Sequence, residues 1–377
     1  MKKKVLFLTG TRADYGKLKS LMKEVDQHEG FELYVFITGM HMLSKYGSTF
    51  SEIEKDGFKN IYKYINQASN SGMDIALSNT LLGLSNYVAE LKPDLIVIHG
   101  DRLEALAGAI IGSFNNIKVA HIEGGEVSGT IDESIRHAIT KFSHLHFVSN
   151  EDAKMRVMQL GEKEEDIYII GSPDIDIMYS SDLPTLEKVK KRYDLFFENY
   201  SILMYHSVTT EIHRLNENVK ELVDSILESK ENYVVVYPNN DIGTEIILEE
   251  YERFKDNSKI KVYPSIRFEY FLTLLKNCKF IIGNSSAGIR EAGVYGIPSV
   301  DIGNRQQGRY DVNNDHNIIH VKEEKTDILN GISMVKQTKV GANSIFGNGN
   351  SHKKFIRILE KKEIWERNFN KKFVDIM

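Results

Sequence analysis

The chain has one cysteine in 377 residues, Cys278, so no intrachain disulfide can form and a small disulfide-stapled scaffold is excluded. Cys278 ends an apolar helical pattern just before the strand-like Phe280 to Ile282 and is expected in a core. Low-complexity tracts and fixed-period repeats are lacking, which excludes solenoids and fibres. No apolar run approaches a membrane span, and the basic Met1 to Lys4 is followed only by Val5 to Leu8, too short for a signal-peptide core, so a cytoplasmic location and no membrane partner are expected. Excess positive charge is lacking too: 48 Lys and Arg against 53 Asp and Glu give a net charge of −5. Nucleic acid is therefore not an expected partner, and an anionic small molecule would need a local basic pocket.

Several catalytic signatures are missing as well. No G-x-G-x-x-G follows the first strand, and neither H-E-x-x-H nor G-x-S-x-G occurs, which removes support for hydride transfer, zinc hydrolysis and acyl transfer. The twelve histidines form no compact ligand cluster, so neither a metal nor a cofactor is expected.

What is present is a 41% apolar, 27% charged chain long enough for two globular domains. Short apolar runs alternate with helical-period stretches, the pattern of parallel sheets covered on both faces. Val5–Leu8, Leu33–Ile37, Leu95–Ile98, Val119–Ile122, Leu145–Val148 and Ile167–Ile170 read as strands, with helices over Lys17–Val25, Ile75–Leu91, Leu103–Phe114 and Glu133–Phe142. The alternation restarts with strands Ile202–Tyr205, Tyr233–Tyr237, Lys261–Tyr263, Phe280–Ile282 and Val300–Ile302, and helices Asn216–Leu227, Glu245–Phe254, Arg267–Leu275 and Gly288–Val294. The break falls near Gly171-Ser172-Pro173, with a hinge and linker expected there and at Asp182 to Pro184. The expected class is α/β, two doubly wound Rossmann-like domains facing a cleft, with functional residues just after the strands.

The candidates stand at those strand ends. Thr9 to Lys17 is a small-residue loop opening a helix, where backbone amides and Arg12 could meet an anion, although its glycine spacing is not that of a P-loop. Asp101, in His99-Gly100-Asp101-Arg102, is either functional or, with Glu104, a helix capping box. Glu123, in His121-Ile122-Glu123-Gly124-Gly125-Glu126, is expected at the cleft rim beside glycines that permit close approach of a ligand or another backbone. Thr130 and Glu133 match a capping box, which leaves Asp132 in the first helical turn for the dipole or for catalysis. Clustered on one wall, Asp101, Glu123 and Asp132 would raise each other's proton affinity, as acid and base work near neutral pH requires.

In the second half His206 follows a strand, and Gly283-Asn284-Ser285-Ser286 joins a strand to a helix with hydroxyls and free amides suited to phosphate. Ser285 or Ser286 also fits a helix cap. Glu291 follows where it could accept ribose hydroxyls, and Arg305 and Arg309 could hold a diphosphate.

The set Gly10-Thr11-Arg12-Ala13-Asp14-Tyr15-Gly16, His99-Gly100-Asp101-Arg102, His121-Ile122-Glu123-Gly124-Gly125-Glu126, Ser134-Ile135-Arg136-His137 and Gly283-Asn284-Ser285-Ser286 resembles the UDP-N-acetylglucosamine 2-epimerase family, in order from the first strand to about Arg309. Arg102 after Asp101 and the Glu-Gly-Gly-Glu run look like the hydrolysing branch that starts sialic acid synthesis. The resemblance implies a GT-B fold: a first domain of residues 1–173 completed by a C-terminal helix over 361–377, and a UDP-binding domain of 174–360. It implies Asp101, Glu123 and Asp132 as catalytic acids, and Arg12, Arg102, His206, Asn240, Ser285, Ser286, Glu291 and Arg305 as contacts to UDP or substrate. It also implies a homodimer or homotetramer, and it departs from the family at Ser207, where proline commonly follows the histidine. The alternatives are a hydrolysing epimerase of UDP-N,N'-diacetylbacillosamine, a non-catalytic UDP-sugar sensor, and a GT-B glycosyltransferase. The last is disfavoured because Gly283 and Ser299, not glutamates, stand eight residues from Glu291.

Overall fold

Continuous apolar runs become fully covered parallel strands, because a strand between two helical layers buries both its faces. The computed structural model describes residues 2–68, 71–128, 131–239, 241–310 and 317–375. The chain divides into two compact units, Met1–Glu126 with Ile131–Ser180 and Ile345–Met377, and Val127–Thr130 with Ser181–Ser344. Among the described residues no helix is long and apolar enough to cross a membrane.

The first unit holds seven parallel strands, β1 (Lys3–Thr9), β2 (Phe31–Ile37), β3 (Ile61–Lys63), β4 (Leu95–His99), β5 (Lys118–Ile122), β6 (Leu145–Val148) and β7 (Ile167–Ile169), ordered 3-2-1-4-5-6-7. Alternation along β1 builds both layers. Val5 and Phe7 pack with Leu18, Met22 and Val25 of the helix Arg12–Gln27 and with Phe355 and Leu359 of the helix Ser351–Leu359. Leu6 and Leu8 pack with Leu84 and Val88 of the helix Met73–Leu91 and with Ala105 and Ala109 of the helix Leu103–Phe114. Each fully buried Leu or Phe side chain contributes roughly 1.5–3 kcal/mol.

The second unit holds six parallel strands, β8 (Ser201–Met204), β9 (Tyr233–Val236), β10 (Ile260–Tyr263), β11 (Ile281–Gly283), β12 (Ser299–Ile302) and β13 (Ile318–Val321), ordered 10-9-8-11-12-13. Its core sets Leu203, Val235, Ile282 and Val300 against Val219, Leu222 and Val223 of the helix Leu215–Ser229 and Ile328 and Ile332 of the helix Lys325–Val335. Cys278 is buried, and burial raises its thiol pKa. Strand order reverses between β1 and β4 in one sheet and between β8 and β11 in the other, and these are the positions where open α/β sheets bind ligands.

The structure corrects several expectations. The edge strand β3 is exposed and only three residues long, and it holds its place by Tyr62 stacking on Phe36 and Tyr87 at 5.5 and 4.3 Å. The helix expected over Gly288–Val294 is two short turns, Ser286–Ile289 and Glu291–Val294, broken at Arg290. The boundary lies at Ser180/Ser181, not at 173/174, because the helix Pro173–Met178 packs against the helix Arg12–Gln27. Gly171-Ser172 is fastened inside the first unit: the Ser172 N–H donates to the Phe346 carbonyl at 2.7 Å, and Gly171 lies against Gly347. The C-terminal return begins at Ile345, with helices Ser351–Leu359 and Lys362–Glu366 rather than one helix over 361–377.

Beyond the last helix the C-terminal segment crosses the amino ends of β5, β6 and β7. Lys371 donates to the carbonyls of Thr140 and Ser143 and pairs with Glu162 at 2.5 Å, while Lys118 donates to the Arg367 carbonyl at 2.6 Å. Burial opposes ionisation of Glu162, but the His146 hydrogen bond and the Lys371 and Lys141 ammoniums outweigh it and hold its pKa down to about 2. A carboxyl depressed on folding stabilises fully above its unfolded pKa, and that contribution is lost as pH falls through the folded value. Stability on the order of 1–3 kcal/mol is therefore expected to disappear between about pH 4.5 and pH 2. Urea titrations of Glu162→Gln should show a flatter acid limb than the parent; superimposable limbs would exclude Glu162 as its source.

Candidate active site

The carboxyl ends of β4 and β5 carry two of the three expected acids. Asp101 does not cap the following helix; Arg102 stands at the N-cap without a side-chain bond, and Asp101 instead accepts from the Arg136 guanidinium. Arg136, 2% exposed, also donates to the Glu126 carbonyl at 3.0 Å. Gly100 has φ +70, and its N–H and carbonyl are pinned by the Ile122 carbonyl and His121 Nε2 at 3.0 and 2.8 Å. Burial lowers the His121 pKa to about 3, so this imidazole is neutral and structural.

Glu123 is not an open rim acid, as expected from sequence, but 4% exposed. Its Oε1 accepts from Ser172, and its Oε2 lies 3.0 Å from His99 Nε2 and 3.4 Å from Lys17 Nζ. Lys17 also lies 3.4 Å from Asp174, whose side chain is fully buried. Glu123 adopts φ +62, unfavourable for a non-glycine residue by about 1–3 kcal/mol, so the contacts around its side chain hold a strained backbone. Gly125 lets another backbone approach rather than a ligand: a Cβ there would lie 2.2 Å from the Ala153 carbonyl oxygen.

Asp132 is half-buried in the first turn of the helix Ile131–Phe142, one turn before Arg136 on the same face. Asp132 thus shares a helix face with the cation that holds Asp101. Glu133 pairs with His137 at 3.4 Å, while Thr130, its expected capping partner, lies outside the described residues.

The loop after β1 is not open to an external anion. Asp14 accepts from the N–H groups of Gly10 and Thr11, both at 3.0 Å, and from Thr9 Oγ1 at 2.6 Å, so an internal carboxylate fills the site. Arg12 forks onto Glu52 at 2.6 and 3.0 Å. Arg102 lies 4.0 Å from Glu104, which is 2% exposed and whose proton affinity burial raises against that charge.

In the second unit Asn284 joins three strand-end loops. Its side chain accepts the His206 N–H at 2.7 Å and donates to the His206 carbonyl at 2.9 Å, while its own carbonyl accepts from Arg305 at 3.1 Å and Gln306 at 2.8 Å. The Asn239 N–H donates to His206 Nδ1 at 3.1 Å, which assigns the proton to Nε2. Burial, with the Arg305 charge, holds the His206 pKa well below its usual value, so it is a neutral donor. Ser285 does cap the next turn, accepting the Ala287 N–H at 3.3 Å, and Ser286 is half-buried beside it. A turn of four residues has little dipole, so the donors this loop offers are its hydroxyls, the His206 Nε2–H and Arg305. Arg309 donates to Gln306 at 3.0 Å, and Glu291 is 5% exposed just after the Arg290 break. Asn240 lies outside the described residues.

The first unit thus brings acids together with His99, Lys17, Ser172 and Arg136, and the second brings neutral donors together with a guanidinium. Sequence reading gave His99, Lys17 and Arg136 no role of their own, placed Ser172 in a hinge, and had Asn284 only as part of the phosphate-suited Gly283 to Ser286 run. The four-residue spacing of Asp132 and Arg136 was a usable signal; the contacts of Lys17 and Ser172 with Glu123 span 106 and 49 residues and had none.

Comparison with known proteins identifies the family and the fold. The family model described as UDP-N-acetylglucosamine 2-epimerase matches residues 23–360. The UDP-N-acetylglucosamine 2-epimerase of Neisseria meningitidis serogroup B is 46% identical over 99% of each chain. The UDP-N,N'-diacetylbacillosamine 2-epimerase (hydrolyzing) of Legionella pneumophila is 32% identical over 98% of this chain and 99% of its own. Among solved structures, the Methanocaldococcus jannaschii UDP-GlcNAc 2-epimerase in complex with UDP-GlcNAc and UDP superposes with TM-score 0.81 at 23% identity, over 94% of this chain and 99% of that one. A shared two-domain α/β fold of GT-B type, nearly full coverage on both sides and a family match spanning most of the length together show that the chain belongs to the UDP-N-acetylglucosamine 2-epimerase family.

Proposed function

We propose that the protein is a cytoplasmic, homo-oligomeric, hydrolysing UDP-N-acetylglucosamine 2-epimerase that converts UDP-N-acetylglucosamine and water to N-acetylmannosamine and UDP, the first step of sialic acid synthesis. The observation that carries the reading is the first unit's set of strand-end and helix-start acids: Asp101 held by Arg136, Asp132 one turn before Arg136, and Glu123 held by three donors. In this reading a base in the first unit removes the proton at sugar carbon 2 while UDP departs from carbon 1, giving 2-acetamidoglucal by anti elimination. Water then adds at carbon 1, and an acid on the opposite face protonates carbon 2. Inversion needs proton carriers on two faces, which is why one base is not enough. His206, Asn240, Ser285, Ser286, Glu291 and Arg305 bind UDP, with Arg305 stabilising the departing diphosphate. Arg102 meets substrate, and Arg12 does so only on leaving Glu52.

Substrate choice follows the greater likeness to the Neisseria relative than to the Legionella one. Incubation with UDP-N-acetylglucosamine in deuterated water should release UDP and N-acetylmannosamine carrying deuterium at carbon 2. Product without that label would eliminate the glycal route. Parallel assays with UDP-N,N'-diacetylbacillosamine should give the lower kcat/KM; the reverse order would move the assignment to that sugar.

A further inference from the structure

Glu123 is poorly placed to meet a substrate itself. Ser172 occupies its Oε1, His99 and Lys17 meet its Oε2, and the residue is 4% exposed. An ionised carboxylate only accepts hydrogen bonds, so His99 Nε2 carries the proton in this contact and the Nδ1 lone pair is left as the basic atom. Nδ1 has no hydrogen-bond partner among the described residues and is not sealed from solvent. His99 ends β4 at the sheet's carboxyl edge, directly before the pinned Gly100 and the Arg136-held Asp101. A buried carboxylate, an imidazole oriented through one nitrogen and an open second nitrogen are the parts of an acid–base dyad.

We propose that His99 is the group that meets the sugar, and that Glu123 is the positioning residue that orients it and balances its charge. This rests on the epimerase reading and assigns one face of that reaction. His99 Nδ1 takes the proton from carbon 2; the C–H electron pair becomes the C1–C2 double bond, and the bond from carbon 1 to the diphosphate oxygen breaks with its electrons leaving on UDP. The imidazolium faces the Glu123 carboxylate and later gives its proton to solvent. Water supplies hydroxyl to carbon 1, and an acid on the other face, Asp101 or Asp132, protonates carbon 2 and is recharged by the proton that water loses. Lys17 from the helix after β1 meets the dyad at Glu123, Asp174 from the helix after β7 meets Lys17, and the Asp101–Arg136 pair begins two residues after His99.

The test is a kcat/KM profile against pH with UDP-N-acetylglucosamine, alongside UDP binding by calorimetry. His99→Gln should lower kcat by about 10²–10⁴-fold, leave the UDP Kd within threefold, and abolish the acid limb of the profile. Ser172→Ala removes a donor to Glu123 but no reacting atom, so it should keep that limb. Nitrogen NMR of the unaltered protein gives a second reading: neutral His99 should carry its proton on Nε2. Wild-type kcat or a persisting acid limb in His99→Gln, or a neutral imidazole protonated on Nδ1, overturns the dyad while leaving the epimerase in place. A wild-type protein that releases no UDP overturns the epimerase reading and the dyad with it.

Discussion

Asp132→Asn should lower kcat by about 10²–10⁴-fold and leave the UDP Kd within threefold. The amide has nearly the size of the carboxyl but cannot take up or deliver a proton. Asp132 is half-buried at the start of the helix Ile131–Phe142, and the proposed UDP ligands belong to the other unit, so affinity and turnover separate in this variant. A purely structural Asp132 gives a different result. Negative charge in a first helical turn is worth about 0.3–1 kcal/mol, and losing it would lower the unfolding midpoint slightly with kcat unchanged. Steady-state kinetics and urea denaturation on the same preparation decide the matter, and wild-type kcat would remove Asp132 from the reaction. Arg136, four residues on, is the internal comparison: Arg136→Met should reduce kcat and also destabilise the fold, because it removes a buried cation that donates to Asp101 and to the Glu126 carbonyl.

Sequence carried the layers of this fold because each central strand is a short run apolar on both faces, and Leu6 and Phe7 need no distant information to be read as core. It missed β3, where Ile61-Tyr62-Lys63 is too short and too polar to stand out and is placed by pairing with β2 and by ring stacking with residues 26 and 25 positions away. The unit boundary was set too early because Gly171-Ser172-Pro173 reads as a break, whereas its loop is fastened by Phe346 and Ser351, residues that no local pattern connects to it. The glycine- and asparagine-rich run from Gly341 to Asn350 was the better sign of a crossing.

The candidate site was legible as a set of strand-end loops and misread in its internal wiring. Thr11 and Asp14 already have capping-box spacing, and that pairing is what closes the first loop to an outside anion. Asp101 and Glu104 have the same spacing, yet a buried guanidinium from the next helix turns Asp101 away. Local spacing therefore gives the same signal for a cap and for a functional acid. The deciding partner, Arg136, comes 35 residues later in the chain.

Gly283→Ala should lower stability by at least about 3 kcal/mol, whereas Gly288→Ala should change it by no more than about 1 kcal/mol in either direction. Both glycines belong to the loop proposed to hold the diphosphate. Gly283 ends β11 at φ +131, a backbone region essentially reserved for glycine, and a Cβ there would lie 1.9 Å from the Met204 carbonyl oxygen on the neighbouring strand β8. That oxygen also accepts the Asn284 N–H at 3.1 Å, so relieving the clash pulls apart the pairing that sets Asn284 against His206. At Gly288 the φ is ordinary and the nearest atoms to an added Cβ, on Ser299 and Ile281, lie at 3.5 and 3.6 Å, normal contact distances. Urea midpoints measure the first consequence and calorimetric titration with UDP the second. Gly283→Ala should lose UDP affinity together with stability, and Gly288→Ala should keep both. Equal midpoints for the two variants would mean that the β8–β11 junction yields at Met204, and that Gly283 is a matter of local flexibility rather than of close approach.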